Sequence, residues 1–207
     1  MAWLEEFLDL YNKNSLESKL SQSNTCIVIC PPTPLIPLVQ EFTEMYTAIK
    51  IGAQTVSSIQ RGAYTGEVTA ELLKDYVSYA LIGHSERRKH FKLTEEEIAL
   101  QIQNCIDNTI SPILCVRNDQ DKVYDNVKIV AFEPPNAIGG GKNAKVADVL
   151  EMKKQLKLPS STSFMYGASV DITNISSYLQ TGEINGLLVG TASIKAASFY
   201  NLAVAMI

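Results

Sequence analysis

Tyr79 to Phe91, YALIGHSERRKHF, is the stretch that decides the fold. Tyr79–Ile82 is apolar without the polar alternation of a half-exposed strand, so it reads as a parallel strand covered on both faces. At Gly83 the run breaks into histidine, serine and glutamate, then into the positive block Arg87–Lys89. The chain has only two histidines, His84 and His90, and both fall here. A covered strand that ends in a histidine places the imidazole at the carboxyl edge of a sheet, where parallel α/β folds meet their ligands.

Working outward, similar runs recur at TCIVICPP, IKIGAQ, SPILCV, VKIVAFEP, SFMYGAS and GLLVGTAS. Helical patterns lie between most of them. LTEEEIALQIQNCI opens on a Thr94-x-x-Glu97 capping box and carries Ile98, Ile102 and Ile106 on one face. SVDITNISSYLQTG ends at Gly182, a helix-stopping glycine. Alternation of strand and helix predicts a parallel sheet of about seven strands, either a (β/α) barrel one strand short of eight or a doubly wound open sheet. Two repeats are irregular. The chain begins with a helical pattern, Trp3, Leu4, Phe7, Leu8 and Tyr11 on one face, with no strand before it. Between Val116 and Val127 the link is too short for a crossover with a full helix.

The length of 207 residues fits one domain spanning residues 1–207, and 46% hydrophobic with 19% charged residues predicts a folded chain without long disordered tracts. A net charge of −4 argues against a nucleic-acid partner. No apolar run approaches the roughly 20 residues needed to cross a bilayer, and Glu5, Glu6 and Asp9 interrupt any export signal. A soluble, cytoplasmic protein without membrane contact is expected. Cys26, Cys30, Cys105 and Cys115 sit in apolar runs without metal-ligand spacing and read as buried, reduced thiols.

Polar residues gather at the predicted strand ends: His84 after Ile82-Gly83, Glu133 after Phe132, Ser169 after Ala168, and Gly190-Thr191 after Val189. A histidine and a carboxylate from separate strands form a candidate acid/base pair, because burial and neighbours can tune both towards neutral pH. Taken singly, His84 also reads as a hydrogen-bonded structural histidine and Glu133 as a solvated carboxylate before Pro134-Pro135. AIGGGKNAK, Ala137–Lys145, offers three consecutive glycines whose amides can approach an oxyanion. GASVDI and GTASIK are small-residue turns ahead of helices, suited to a phosphate or to plain turn chemistry.

Together these stretches resemble the triosephosphate isomerase family, from about Trp3 to the carboxyl terminus and in the family's order. YALIGHSERR is similar to its fourth-strand motif, AFEPPNAIGGGKNA to its sixth strand and lid, YGASV and LLVGTAS to its two phosphate turns, and CPPTPLI to the end of its second strand. The resemblance implies a reduced TIM-type barrel and interconversion of glyceraldehyde 3-phosphate and dihydroxyacetone phosphate in glycolysis and gluconeogenesis. It implies that Glu133 is the base that moves the proton and His84 the neutral electrophile, a division of labour for which this family is itself the standard example. Gly139, Ser169, Gly190 and Thr191 occupy its phosphate-contact positions. Glu86 and Arg87 are implied to position the loop after His84 through ion pairs. No metal or organic cofactor is implied. IGAQTVSSIQRGAYTGEVT is similar to the dimerisation loop, which implies a homodimer through Thr65-Gly66-Glu67.

The departures are specific. The family's first strand and its Asn-x-Lys motif have no counterpart here, so slowed turnover is expected, with a non-catalytic phosphate-binding or scaffold protein as the alternative. A start upstream of Met1 that encodes the strand is also open. The lid tryptophan is replaced by Asn136, and the second phosphate-site glycine by Thr191. Arg117, at the end of the SPILCV run, is a candidate to restore positive charge to the mouth of the barrel.

Overall fold

The computed structural model describes residues 1–137 and 143–207. Its sheet contains β1 (Ile27–Ile29), β2 (Ile49–Ala53), β3 (Tyr79–Ile82), β4 (Ser111–Val116), β5 (Ile129–Phe132), β6 (Ser163–Tyr166) and β7 (Gly186–Leu187). Each strand pairs in parallel with its sequence neighbour, in the order β1 to β7. The helices are α1 (Ala2–Lys13), α2 (Leu16–Gln22), α3 (Ile36–Thr43), α4 (Ala70–Leu73), α5 (Ser85–His90), α6 (Glu95–Asp107), α7 (Val146–Gln155), α8 (Ile175–Leu179) and α9 (Ala196–Ala205). The sheet curls into an incomplete barrel, a reduced TIM-type fold. Among the described residues no strand pairs β7 with β1.

Alternate side chains along each strand serve two separate cores. Ala80, Ile82, Leu114, Val116, Val130, Phe132, Phe164 and Tyr166 join the large cluster that includes the helices. Leu81, Ile113, Cys115 and Ala131 form a smaller inner cluster, edged by the half-buried Cys30, Met165 and Leu188. Burial on both faces explains why the central runs lack alternation. It is incomplete towards the gap between β7 and β1.

Helix α1 closes the outside of that gap. Trp3 and Phe7 pack against Phe199 of α9, with ring centroids 5.7 and 5.4 Å apart. The Trp3 indole donates to the Ser193 carbonyl at 2.9 Å. At its other end, Tyr11 meets Tyr46 edge-on at 5.2 Å. Glu17 of α2 continues the strap: it accepts hydrogen bonds from the Tyr11 hydroxyl and from the Thr47 and Ala48 amides that lead into β2.

The capping box at Thr94 and Glu97 forms as expected and starts α6. Residues 117–128 carry no helix, again as expected. The outer strands are shorter than their sequence runs, because a strand without a second neighbour loses half of its ladder. Helix α8 starts late: the Asp171 carboxylate takes the Thr173 amide and the Asn174 side chain takes the Asp171 amide, which holds residues 171–174 in a turn. Cys26 is exposed, not buried, because it precedes β1 at the open side of the sheet; all four thiols are free.

Candidate active site

His84 leaves β3 through Gly83, whose φ of +73° lies in the region that glycine adopts without strain. A Cβ there would lie 3.0 Å from the Arg88 guanidinium and 3.3 Å from the Cys115 carbonyl. The turn aims the imidazole across the top of β4 towards β5. Register supplies its partner: Val116 lies beside Phe132, and the Glu133 amide donates to the Val116 carbonyl at 2.8 Å. Glu133 is thereby carried inward and is 2% exposed.

The two candidates meet. His84 Nε2 lies 3.0 Å from Glu133 Oε1, and the second carboxylate oxygen accepts the Ser85 amide at 3.1 Å. The Glu86 amide donates to His84 Nδ1 at 3.3 Å. An Nδ1 that accepts leaves the proton on Nε2, so the imidazole donates to Glu133 from the nitrogen that faces the site. The hydrogen bond to Glu133 raises the His84 pKa above its ordinary value. Burial opposes this, and the charges of Glu133 and Glu86 add to it. Cys115 lies beside the same carboxylate. Burial, and then Glu133, push its thiol well above the usual range, so it is no nucleophile at neutral pH.

The loop after His84 is held differently from the expectation. Among the described residues Arg87 makes no ion pair; it lies over the Phe91 ring at 4.7 Å, and its buried Nε has no partner. Glu86 is exposed, with only a 4.0 Å contact to His84. The ion-pairing role falls one residue later, because the first turn of α5 points Arg88 inward. Arg88 donates to the Gly83 carbonyl at 2.8 Å, pairs with Glu95, and lies 4.0 Å from Asp121. It thus ties the end of β3 to α6 and to the link after β4. Nothing in the sequence distinguishes adjacent arginines before the phase of α5 is known.

Arg117 does not offer a free cation to the site. Its guanidinium binds both oxygens of Asp121, at 2.9 and 2.6 Å, and its amide binds Asp121 Oδ2 at 2.7 Å. Burial pushes the Asp121 carboxyl up, but the Arg117 bonds and the Arg88 charge outweigh it and hold its pKa below the usual value.

Ser169 has a positive φ of 44°, and its hydroxyl donates to the Ala137 carbonyl at 2.7 Å, so that turn is tied to the segment that follows Glu133. Gly190 and Thr191 are exposed at the start of a short 3₁₀ turn, Thr191–Ser193. Gly139 lies outside the described residues. Two surface clefts, of about 420 and 200 Å³, lie along residues 59–72 and α6, and neither includes His84 or Glu133. No group of three or more metal-ligating side chains occurs among the described residues.

A histidine donating to a buried glutamate thus stands at the carboxyl ends of β3 and β5. The sequence model of the family described as "Triosephosphate isomerase" matches residues 5–206. The chain belongs to the triosephosphate isomerase family. The triosephosphate isomerase of Mesomycoplasma hyorhinis is 34% identical over an alignment that covers 96% of this chain and 90% of that protein. The enzyme of Dictyoglomus thermophilum is 34% identical, with 97% and 91% covered, and that of Alkaliphilus oremlandii 29%, with 96% and 92%. Family membership makes the chain one of a group of isomerases.

Proposed function

We propose that this protein interconverts glyceraldehyde 3-phosphate and dihydroxyacetone phosphate, as an isomerase of glycolysis and gluconeogenesis acting in the cytoplasm. The observation that carries the reading is the 3.0 Å contact between His84 Nε2 and Glu133 Oε1 at the ends of two strands of a family fold. Substrate enters between them. Glu133 takes a proton from the carbon beside the carbonyl and returns it to the neighbouring carbon, while the His84 Nε2 proton is donated to the oxygen that becomes negative in the enediolate. Moving Glu133 off His84 removes the largest cause of its raised pKa, which favours the neutral electrophile as substrate seats. The carbonyl of the substrate acidifies the proton, so the step calls on no cofactor. Gly190, Thr191, Ser169 and Gly139 are the proposed phosphate contacts. Ser169 serves through its backbone, because its hydroxyl is engaged by Ala137.

Turnover is expected to be slow. Among the described residues no lysine or arginine pairs with Glu133 or His84, and loss of one preorganised charge costs about 3–4 kcal/mol, or roughly 100- to 1,000-fold in rate. The same observation favours the second reading, a phosphate-binding or scaffold protein without catalysis. A coupled assay of glyceraldehyde 3-phosphate conversion decides between them, run beside Glu133→Gln purified identically. Activity lost in the variant supports the isomerase, and equal activity in both leaves the binding protein.

We also propose a homodimer through Thr65-Gly66-Glu67. Glu67 stiffens that loop by accepting the Ser57 hydroxyl at 2.6 Å, while Tyr64 and Leu72 beside it are 54% and 63% exposed. A monomeric mass at micromolar concentration in sedimentation would count against this interface.

A further inference from the structure

Ala137 and Ala144, both in the chain that follows Glu133, are held by one unit, β6 with α8 and the turn between them. Ser169 takes the Ala137 carbonyl. Ala144 is gripped on both its polar groups: its amide donates to the Tyr166 hydroxyl at 3.0 Å, and its carbonyl accepts the Tyr178 hydroxyl at 2.7 Å. The two phenol rings stack with centroids 4.5 Å apart and planes 28° from parallel. Tyr166 is fully buried and Tyr178 is 1% exposed. Tyr166 also lies against the Phe132 ring, 6.5 Å between centroids, and Phe132 immediately precedes Glu133. Tyr178 therefore touches a residue that touches the neighbour of the base, and at the same time holds Ala144, 11 residues after the base.

A tyrosine in a helix core normally contributes through its ring, and a buried hydroxyl there is costly unless bonded. Tyr178 meets that requirement on a backbone carbonyl 34 residues earlier in the chain. Loss of the oxygen would leave the Ala144 carbonyl without this donor while the ring stack stays filled. Among the described residues, Asp171, on the turn before α8, is the charged group that acts on this phenol.

We propose that Tyr178 is a positioning residue for the Glu133 carboxylate, acting through Tyr166 and through its hold on Ala144. The proposal rests on the isomerase reading for its kinetic consequence only. Tyr178→Phe removes one oxygen and keeps the stack. The expected results are a fall in kcat of about fivefold with KM little changed, the scale of one buried hydrogen bond, and exchange of the Ala144 amide with solvent faster by a similar factor. The ¹⁵N resonance of His84 Nε2 should also shift, because its acceptor has moved. Tyr166→Phe, which removes the acceptor of the Ala144 amide, should reproduce the faster exchange. A protein with only a lower melting temperature, unchanged Ala144 exchange and an unmoved His84 resonance would overturn the proposal. Faster exchange with His84 and kcat both unchanged would overturn it too. If the wild-type protein has no isomerase activity, the proposed reaction falls, and the His84 resonance still decides whether Tyr178 places the carboxylate.

Discussion

His84 and Glu133 hold each other in the resting protein, and this has a pH signature. The folded His84 pKa is raised, so the interaction contributes stability that is complete below the unfolded value, about 6.5, and is lost as pH rises through the folded value. Thermal melts should therefore show a wider stability gap between wild type and Glu133→Gln at pH 6 than at pH 8.5, and a gap that narrows on acidification would contradict the ion pair. In kinetics the same group produces an acid limb: kcat/KM should fall as pH drops through the raised pKa, because a protonated imidazole paired to Glu133 resists substrate entry. The strand-end positions of both residues were legible in the sequence, since each follows an apolar run that reads as a covered strand; their pairing was not, because each taken singly also has a structural reading. Arg88 and Tyr178 were not. The inward position of Arg88 depends on where α5 starts, and the contact of Tyr178 joins positions too far apart in sequence for any local pattern to signal.

At the scale of elements, the link after β4 replaces a helix with a charge network. Asp121, whose side chain is 5% exposed, is shared by Arg117 and Arg88. Arg88→Met would release the Gly83 carbonyl and Glu95 and remove the 4.0 Å charge contact to Asp121, which Arg117 still binds, with an expected cost of about 1–3 kcal/mol in urea unfolding. Arg117→Ala should leave kcat and KM unchanged and cost stability instead, because its charge is spent on Asp121. An altered KM would return Arg117 to the site. The strap of α1 and α2 has its own pH dependence. Burial raises the Glu17 pKa, but its hydrogen bonds with Thr47, Tyr11 and Ala48 outweigh this and hold it below the usual value. Its contribution is present above the unfolded pKa, near 4.5, and lost as pH falls through the folded value. Glu17→Gln should cost about 1–2 kcal/mol at pH 7 and progressively less towards pH 3. The short link was legible from its length, whereas the network inside it was not: Asp121 is one carboxylate in a polar run, and only the turn of the link buries it.

Among the described residues, seven parallel strands leave two unpaired edges, and α1 covers their outer side while the inner cluster thins towards Met165, Leu188 and Cys30. The accessible surface is 11,201 Å². A compact monomer of 22.8 kDa would expose roughly 9,600 Å², so the protein presents more surface than its mass requires. The excess agrees with an open barrel. The strand count could be read from repeated apolar runs. How the gap is covered could not, because an amphipathic amino-terminal helix has the same pattern wherever it docks.

The central proposal is that the Glu133–His84 pair shuttles a proton between the substrate carbons. The most direct measurement is conversion of glyceraldehyde 3-phosphate in deuterium oxide, with product followed by proton NMR beside Glu133→Gln. A single exchangeable base predicts dihydroxyacetone phosphate that carries solvent deuterium at the carbon that gained the proton, formed faster by wild type than by the variant. Product formed at the same rate with either protein would contradict the account.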